Sequence, residues 1–164
     1  KFVVIFNTKA AGGVKFELVN EIIELIKKDH EIKLFKTQTE QEAKIVFKKL
    51  SVENFDRLIV ECLEQGCIWG LQDATENWAL VGSTDHDDID VIPFWSSKSL
   101  AEELCGDDWD VYKPVAIEIE EFLDNWLPGM HSDVLLVGVN WNIDLEGAEI
   151  EPLDLLEEFE AELD

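Results

Sequence analysis

Positive charge is what this chain has least of, with 13 Lys and Arg against 37 Asp and Glu and a formal charge of −24 over 164 residues. That balance is repelled by phosphate backbones and anionic lipid, which excludes free nucleic acid and membrane surfaces as ligands. Long apolar runs are also missing. No stretch approaches the roughly 20 residues that span a bilayer, and Phe2-Val3-Val4-Ile5-Phe6 is too short for the apolar core of a secretory signal. Cysteine is scarce and odd in number. Cys62, Cys67 and Cys105 cannot all pair and lack Cys-x-x-Cys spacing, which excludes a disulfide framework and a zinc ribbon and points to a reducing, cytoplasmic compartment. What is present is a folding composition, 46% hydrophobic with six Trp and nine Phe, so the acidity is a surface property laid over a core.

The charge is not spread evenly. Seven of the 37 acids and ten of the 13 bases fall in residues 1–50, a net of +3 there. The remaining 30 acids and three bases, Arg57, Lys98 and Lys113, give residues 51–164 a net charge of −27, and all six tryptophans lie in that segment. A step this sharp predicts two units, residues 1–49 and residues 50–164.

The first unit reads strand, helix, strand, helix. The strands are Phe2–Phe6 and Ile32–Phe35; the helices place Phe16, Val19, Ile22, Ile23 and Ile26 on one face, then Ala43, Val46, Phe47 and Leu50 from about Glu40. This βαβα order predicts a parallel strand pair. The second unit opens with a helix from Val52, capped by Ser51 and stopped at Gly66, burying Phe55, Leu58, Ile59, Cys62 and Leu63. Cys67–Leu71 and Asn77–Gly82 then predict a hairpin around Asp73-Ala74-Thr75-Glu76. Ile89–Trp95 reads as a strand that Pro93 confines to a sheet edge or terminates. Ser99 and Glu102 have capping-box spacing. Ile119, Phe122, Leu123, Trp126 and Leu127 mark a helix ended by Pro128-Gly129, and Val134–Val139 reads as a central strand covered on both faces. A last helix from Pro152 buries Leu155, Leu156, Phe159 and Leu163. The class is α/β or α+β, a mixed sheet with flanking helices preceded by the small βαβα unit.

Five strings stand in a recognisable order and spacing: Ile68-Trp69-Gly70-Leu71, Asn77-Trp78-Ala79-Leu80, Val91-Ile92-Pro93-Phe94-Trp95-Ser96, Glu121-Phe122-Leu123 running into Trp126-Leu127-Pro128-Gly129, and Val137-Gly138-Val139-Asn140-Trp141. With the acidic ending Leu155–Leu163, residues 50–164 resemble a bacterial family catalogued as domain of unknown function 2750. The resemblance implies one acidic α/β domain and carries no activity with it. Residues 7–15, Asn-Thr-Lys-Ala-Ala-Gly-Gly-Val-Lys, resemble a degraded form of the first loop of diacylglycerol and NAD kinases. That resemblance implies phosphate binding through Gly12, Gly13 and Lys15, where backbone N–H groups reach an anion at a helix N-terminus. Thr8 and Ala10 replace the Pro and Ser of that loop, and the later Gly-Gly-Asp-Gly signature has no counterpart.

No nucleophile motif flanks His30, His86 or His131, no carboxylate pair stands out among 37 acids, and the sequence predicts no catalytic residue and no cofactor. Asp85-His86-Asp87-Asp88-Ile89-Asp90 fails the calcium-loop spacing, with Asp90 and Ser96 where Gly and Glu are required, so no metal site is predicted and the segment reads as a solvated acidic loop. Trp69, Trp78, Trp95 and Trp126 read as core. Trp109 and Trp141 have polar neighbours and read as packed residues with one edge available to anchor an interface. In the last helix Glu157, Glu158, Glu160, Glu162 and Asp164 meet no basic residue and sit where the helix dipole disfavours them. A cation-rich partner would relieve that repulsion. The sequence therefore predicts a module that binds a basic protein, as an immunity protein or nucleic-acid mimic does, through Asp85, Asp87, Asp88, Asp107, Asp108, Trp109, Asp110, Trp141, Glu157 and Glu158. The alternative is a nucleotide-binding enzyme or regulator built on the glycine loop.

Overall fold

A computed structural model describes residues 2–7, 32–37, 39–106 and 109–163. The contacts divide the chain into two compact units, Lys1–Leu50 and Ser51–Asp164. In the first, β1 (Phe2–Asn7) pairs with β2 (Ile32–Thr37) in parallel, Val4 beside Leu34, as the strand-helix-strand order predicts. The helix predicted between them lies outside the described residues.

Helix α1 spans Glu40–Gln65. The Thr39 hydroxyl accepts from the Glu42 N–H at 3.1 Å, an N-cap that satisfies one of the free donors of the first turn. Ser51, expected to start a separate helix, lies inside α1, because no Gly or Pro interrupts Lys48 to Glu53 and serine costs a helix interior only a few tenths of a kcal/mol. Gly66 stops the helix at φ +71°, its N–H donating to the Cys62 carbonyl at 2.8 Å.

The second unit is built on a four-stranded sheet of order β4-β5-β7-β8 and a two-stranded sheet of β3 with β6. These strands are β3 (Cys67–Gln72), β4 (Val81–Gly82), β5 (Asp90–Phe94), β6 (Lys113–Glu118), β7 (Leu136–Val139) and β8 (Ala148–Ile150). Strands β5 and β7 run parallel, Ile92 beside Val137, while β4 and β8 flank them antiparallel. The two sheets meet at one antiparallel bridge between Trp69 and Trp95. Among the described residues, the unit also has helices α2 (Lys98–Glu102), α3, residues 119–132, and α4 (Pro152–Leu163). Helices and a mixed sheet thus make up an α/β unit.

Alternation along the strands sorts side chains onto two faces. Ile92, Phe94, Val137 and Val139 turn toward α1, α3 and α4 and pack with Leu58, Cys62, Phe122, Leu127, Leu155 and Phe159. Val91, Trp95 and Leu136 face the other way, against Leu71, Ala101, Leu104 and Trp141. Both faces of β7 are therefore covered, as its apolar run predicts, but the strand begins at Leu136 rather than Val134, which lies in the preceding turn at φ +58° and is 67% exposed. Phe94 contacts the rings of Phe122 and Trp126 edge-on at 5.0 and 5.8 Å, which fixes α3 on β5.

Several local expectations are corrected. Pro93 is not on an edge strand: β5 lies between β4 and β7. Ile89 and Trp95 hydrogen-bond away from β7, to Ser83 and Trp69, so by alternation the Pro93 nitrogen faces that same side. There it falls between the end of β4 opposite Val91 and the bridge at Trp95, where no ladder donor is needed. The hairpin after β3 is abbreviated. Its turn forms, but pairing shrinks to the Gln72–Trp78 bridge and the Ala79 N–H to Leu71 carbonyl bond, since the chain must cross to β5. Ser97, not Ser99, caps α2 by accepting from Leu100 N–H at 3.4 Å. Pro128-Gly129 does not end α3, which runs as Ile119–Glu121, a π-helical turn Phe122–Trp126, and Leu127–Ser132. The wide turn bonds Leu127 N–H to the Phe122 carbonyl and relaxes the spacing into which the Pro128 ring fits. Leu163, expected in the core, is 61% exposed because the last turn of α4 runs past it.

Trp141 is the sharpest correction. Its polar flanks suggest an exposed edge, yet the ring is 3% exposed, with its indole N–H on the Ala148 carbonyl at 3.1 Å. The ring lies where a Cβ on Gly138 would approach Cε2 to 2.7 Å and a Cβ on Gly147 would approach Cδ1 to 2.2 Å. Two glycines make the seat, and the Trp141 carbonyl in turn accepts from the Trp95 indole at 2.9 Å. Gly147→Ala should therefore destabilise the protein by about 1–3 kcal/mol in urea denaturation, the usual range for overpacking. Gly129→Ala, whose Cβ meets nothing within 4 Å, should be neutral or stabilising by up to about 1 kcal/mol. Equal effects of the two substitutions would contradict the packing argument.

Candidate functional site

The described carboxylates of the second unit divide by burial. Glu61, Asp73 and Glu149 are half-buried, and hydrogen bonds fill each of them. Asp107, Asp108 and Asp164 lie outside the described residues, so of the unit's 30 acids the other 24 are all exposed. The counter-charge is small and partly spent. Arg57 pairs with Glu61 at 2.7 Å and Lys98 with Glu102 at 3.1 Å, each one helical turn apart.

Glu61 belongs to a polar knot that the sequence does not announce. The Ser96 hydroxyl donates to its carboxylate at 2.5 Å, the Ser96 N–H donates to the Asn140 side-chain oxygen at 2.9 Å, and the Asn140 amide donates to the Asn54 carbonyl at 3.2 Å. Burial pushes the Glu61 carboxyl up, but the hydrogen bonds from Arg57 and Ser96 and the Arg57 charge outweigh it, and the group lies below the usual range. Asn140 directly follows β7 and Ser96 comes two residues after its parallel neighbour β5, at the strand ends where open α/β sheets often bind ligands. Here α1 occupies that position. With Ser96 fully buried and its hydroxyl committed, the knot fastens α1 to the strand ends and presents no nucleophile. Two of the three thiols are made less reactive: burial, with Cys67 and Glu61 nearby, pushes the Cys62 thiol up to about 12, and burial and Glu102 raise that of Cys105.

The residues predicted to contact a partner scatter over the unit. Asp85, Asp87 and Asp88 are exposed on the loop between β4 and β5. That loop is moored from β8: Glu149 accepts from the Ser83 hydroxyl and from Thr84 N–H at 3.0 Å, while Asp85 and His86 N–H groups bond to Ser83 Oγ. Trp109 is half-buried, its ring 5.2 Å from that of Tyr112, with Asp110 exposed beside it. Glu157 and Glu158 are exposed on α4, and Trp141 is enclosed. Gly12, Gly13 and Lys15, which carry the phosphate-binding alternative, lie outside the described residues, as do Asp107 and Asp108. Among the described residues no group of three or more His, Cys, Asp or Glu is placed to hold a metal, and no helix is long and apolar enough to cross a membrane.

Two acid-lined hollows were not anticipated. One, of about 490 Å³, is lined by Gly66, Ile119, Glu118, Glu120, Glu121 and Asp124, where β6 passes into α3. The other, of about 130 Å³, lies between α1 and α4, with Asp56, Glu158 and Glu162 around Ile59, Val60 and Ala161. The Glu158–Glu162 spacing of one helical turn was a legible signal, but its apposition to Asp56 is tertiary.

Asp73 is the best-organised carboxylate. It accepts from Asn77 N–H at 3.0 Å, from the Thr75 hydroxyl and N–H at 2.8 Å, and from the Asn77 amide at 3.2 Å. The backbone bond from Asn77, followed by the Thr75 hydroxyl, lowers it to about 2, and the lesser effect of desolvation does not offset them. A depressed folded-state value means that the loop's contribution is fully present above the unfolded value of about 3.9 and is lost as pH falls through about 2. An NMR titration should find this carboxyl still ionised near pH 3, whereas a midpoint near 4 would show that the turn does not hold it.

No curated protein matches the chain, and no solved structure matches it either. The model of one family, described as a protein of unknown function (DUF2750), matches residues 55–159, nearly the whole second unit and well over half of the chain. All five strings lie inside that match: they supply the tryptophan bridge at Trp69 and Trp95, Trp141 with the first of its two enclosing glycines, Gly138, and the Ser96–Asn140 pair of the knot. The chain belongs to the DUF2750 family.

Proposed function

We propose that residues 51–164 form an acidic module that binds a cation-rich protein surface, masking it as an immunity protein or a nucleic-acid mimic would. One observation carries the reading: 24 exposed carboxylates share a unit with three basic residues, two of them already paired. Folding does not need that arrangement, because the core is apolar on both sheet faces and the half-buried acids are satisfied locally. Like charges left on the surface repel one another in the free protein, and that repulsion falls when a cationic surface docks. Electrostatic steering also accelerates the encounter and weakens with salt. The same sign argues against nucleic acid as the ligand. The buried Ser96 and the raised thiols of Cys62 and Cys105 support binding over covalent catalysis.

The test is affinity capture on the immobilised full chain from its host's lysate, beside an unrelated acidic protein of matched net charge. The expected outcome is one or a few basic proteins enriched over the comparator at about 50 mM salt and released by about 500 mM. The same proteins on both baits, or none on either, would overturn the reading.

A further inference from the structure

The hollow between α1 and α4 has two features that acidic surface alone does not supply. Its floor is apolar: Ile59 is 5% exposed beneath it, and Val60, at 41%, is one of the large hydrophobic side chains the unit leaves in solvent. Its rim carries three carboxylates from two helices, Asp56 on α1 and Glu158 and Glu162 on α4. The helices that form it both contribute to one core cluster, through Leu58, Ile59 and Cys62 on α1 and Leu155 and Phe159 on α4.

Size narrows the occupant. At about 130 Å³ the hollow is far below the roughly 300 Å³ of the smallest ligand pockets and is suited to a single side chain. An apolar floor beneath a carboxylate rim matches a side chain with a methylene stem and a cationic head. The last turn of α4 adds to this preference, since Ala161 and Glu162 belong to it, its free carbonyls carry the negative end of the helix dipole, and no basic residue there offsets them. Between the two candidate cations, the guanidinium is less strongly hydrated and donates in a planar fork to two carboxylates or to one in bidentate fashion. Building on the proposed binding of a basic partner, we infer that this hollow is the seat of an arginine side chain projecting from that partner's surface. The arrangement is that of an interface anchor, a long side chain enclosed at its stem and paired at its head, the type that dominates binding energy.

Fluorescence anisotropy with labelled hexa-arginine and hexa-lysine at about 150 mM salt reads the inference directly on the full chain. The triple variant Asp56→Asn/Glu158→Gln/Glu162→Gln removes the rim. Glu118→Gln/Glu120→Gln/Asp124→Asn removes the same charge from the other hollow, and all six positions are exposed, so both proteins should fold. The expected result is tighter binding of hexa-arginine than of hexa-lysine, an affinity loss of about tenfold or more for the rim variant, and about twofold or less for the control. Val60→Ser should weaken hexa-arginine binding while leaving the charge untouched. Equal losses in the two triple variants would overturn the arginine seat and leave a diffuse acidic surface as the binding element. No binding of either peptide by the unaltered chain would overturn the basic-partner reading itself.

Discussion

The burial of β5 and β7 on both faces is the constraint on which the rest of the second unit depends. Two parallel strands whose side chains must all leave water need a cover on each side, and the chain supplies helices α1, α3 and α4 on one and Trp95, Trp141 and α2 on the other. The glycines follow from this. Trp141 can lie against the sheet only if Gly138 and Gly147 present no Cβ, and the same logic places Trp78 over Gly70, where a Cβ would come within 2.8 Å of the ring. The hydrogen-bond relay from the Trp95 indole to the Trp141 carbonyl, and from the Trp141 indole to β8, then joins the far side of the sheet to its edge.

An interior so fully apolar has no room for charge, and this sets the character of the surface. Among its described residues the unit admits three half-buried carboxylates, each filled by hydrogen bonds from Arg57 and Ser96, from Thr75 and Asn77, or from Ser83 and Thr84. Every other described carboxylate is pushed out onto a shell almost without cations. Exposed ion pairs such as Lys98–Glu102 are worth at most about 1 kcal/mol each, so they do not offset the accumulated repulsion. In the knot, Ser96 and Asn140 bond to each other across the strand ends, and their bonds to Glu61 and Asn54 fasten α1 over the sheet.

What the sequence reveals is what periodicity and breakers control. The helical faces of α1 and α4, the stop at Gly66, the two-sided β7 and the parallel β1–β2 pair are all legible from spacing. What it conceals depends on partners remote in the chain. Pro93 looks like an edge residue until β4 is seen to end beside it, and Pro128 looks like a helix stop until the π-helical turn relaxes its approach. Strand β6, with Pro114 and Ile117 as its one buried residue, and the three-residue β8 carry too little apolar signal to be found without their partners β3 and β7. Trp141 reads as exposed because its flanks are polar, while the glycines that enclose it are three residues before and six after. The acidic surface was legible as a charge, but the three-carboxylate rim joins residues about a hundred positions apart.

The central claim is that residues 51–164 form a self-sufficient fold held against its own charge. Tryptophan-fluorescence denaturation of a fragment from Leu50 to Asp164, beside the full chain, at about 10 mM and 500 mM salt tests it most directly, because all six tryptophans lie in the fragment. The account predicts a cooperative transition for the fragment at both salt concentrations, with a midpoint that rises with salt more steeply than that of the full chain, which retains the +3 of its first 50 residues. A fragment without a cooperative transition in either salt, or with a midpoint indifferent to salt, would contradict it.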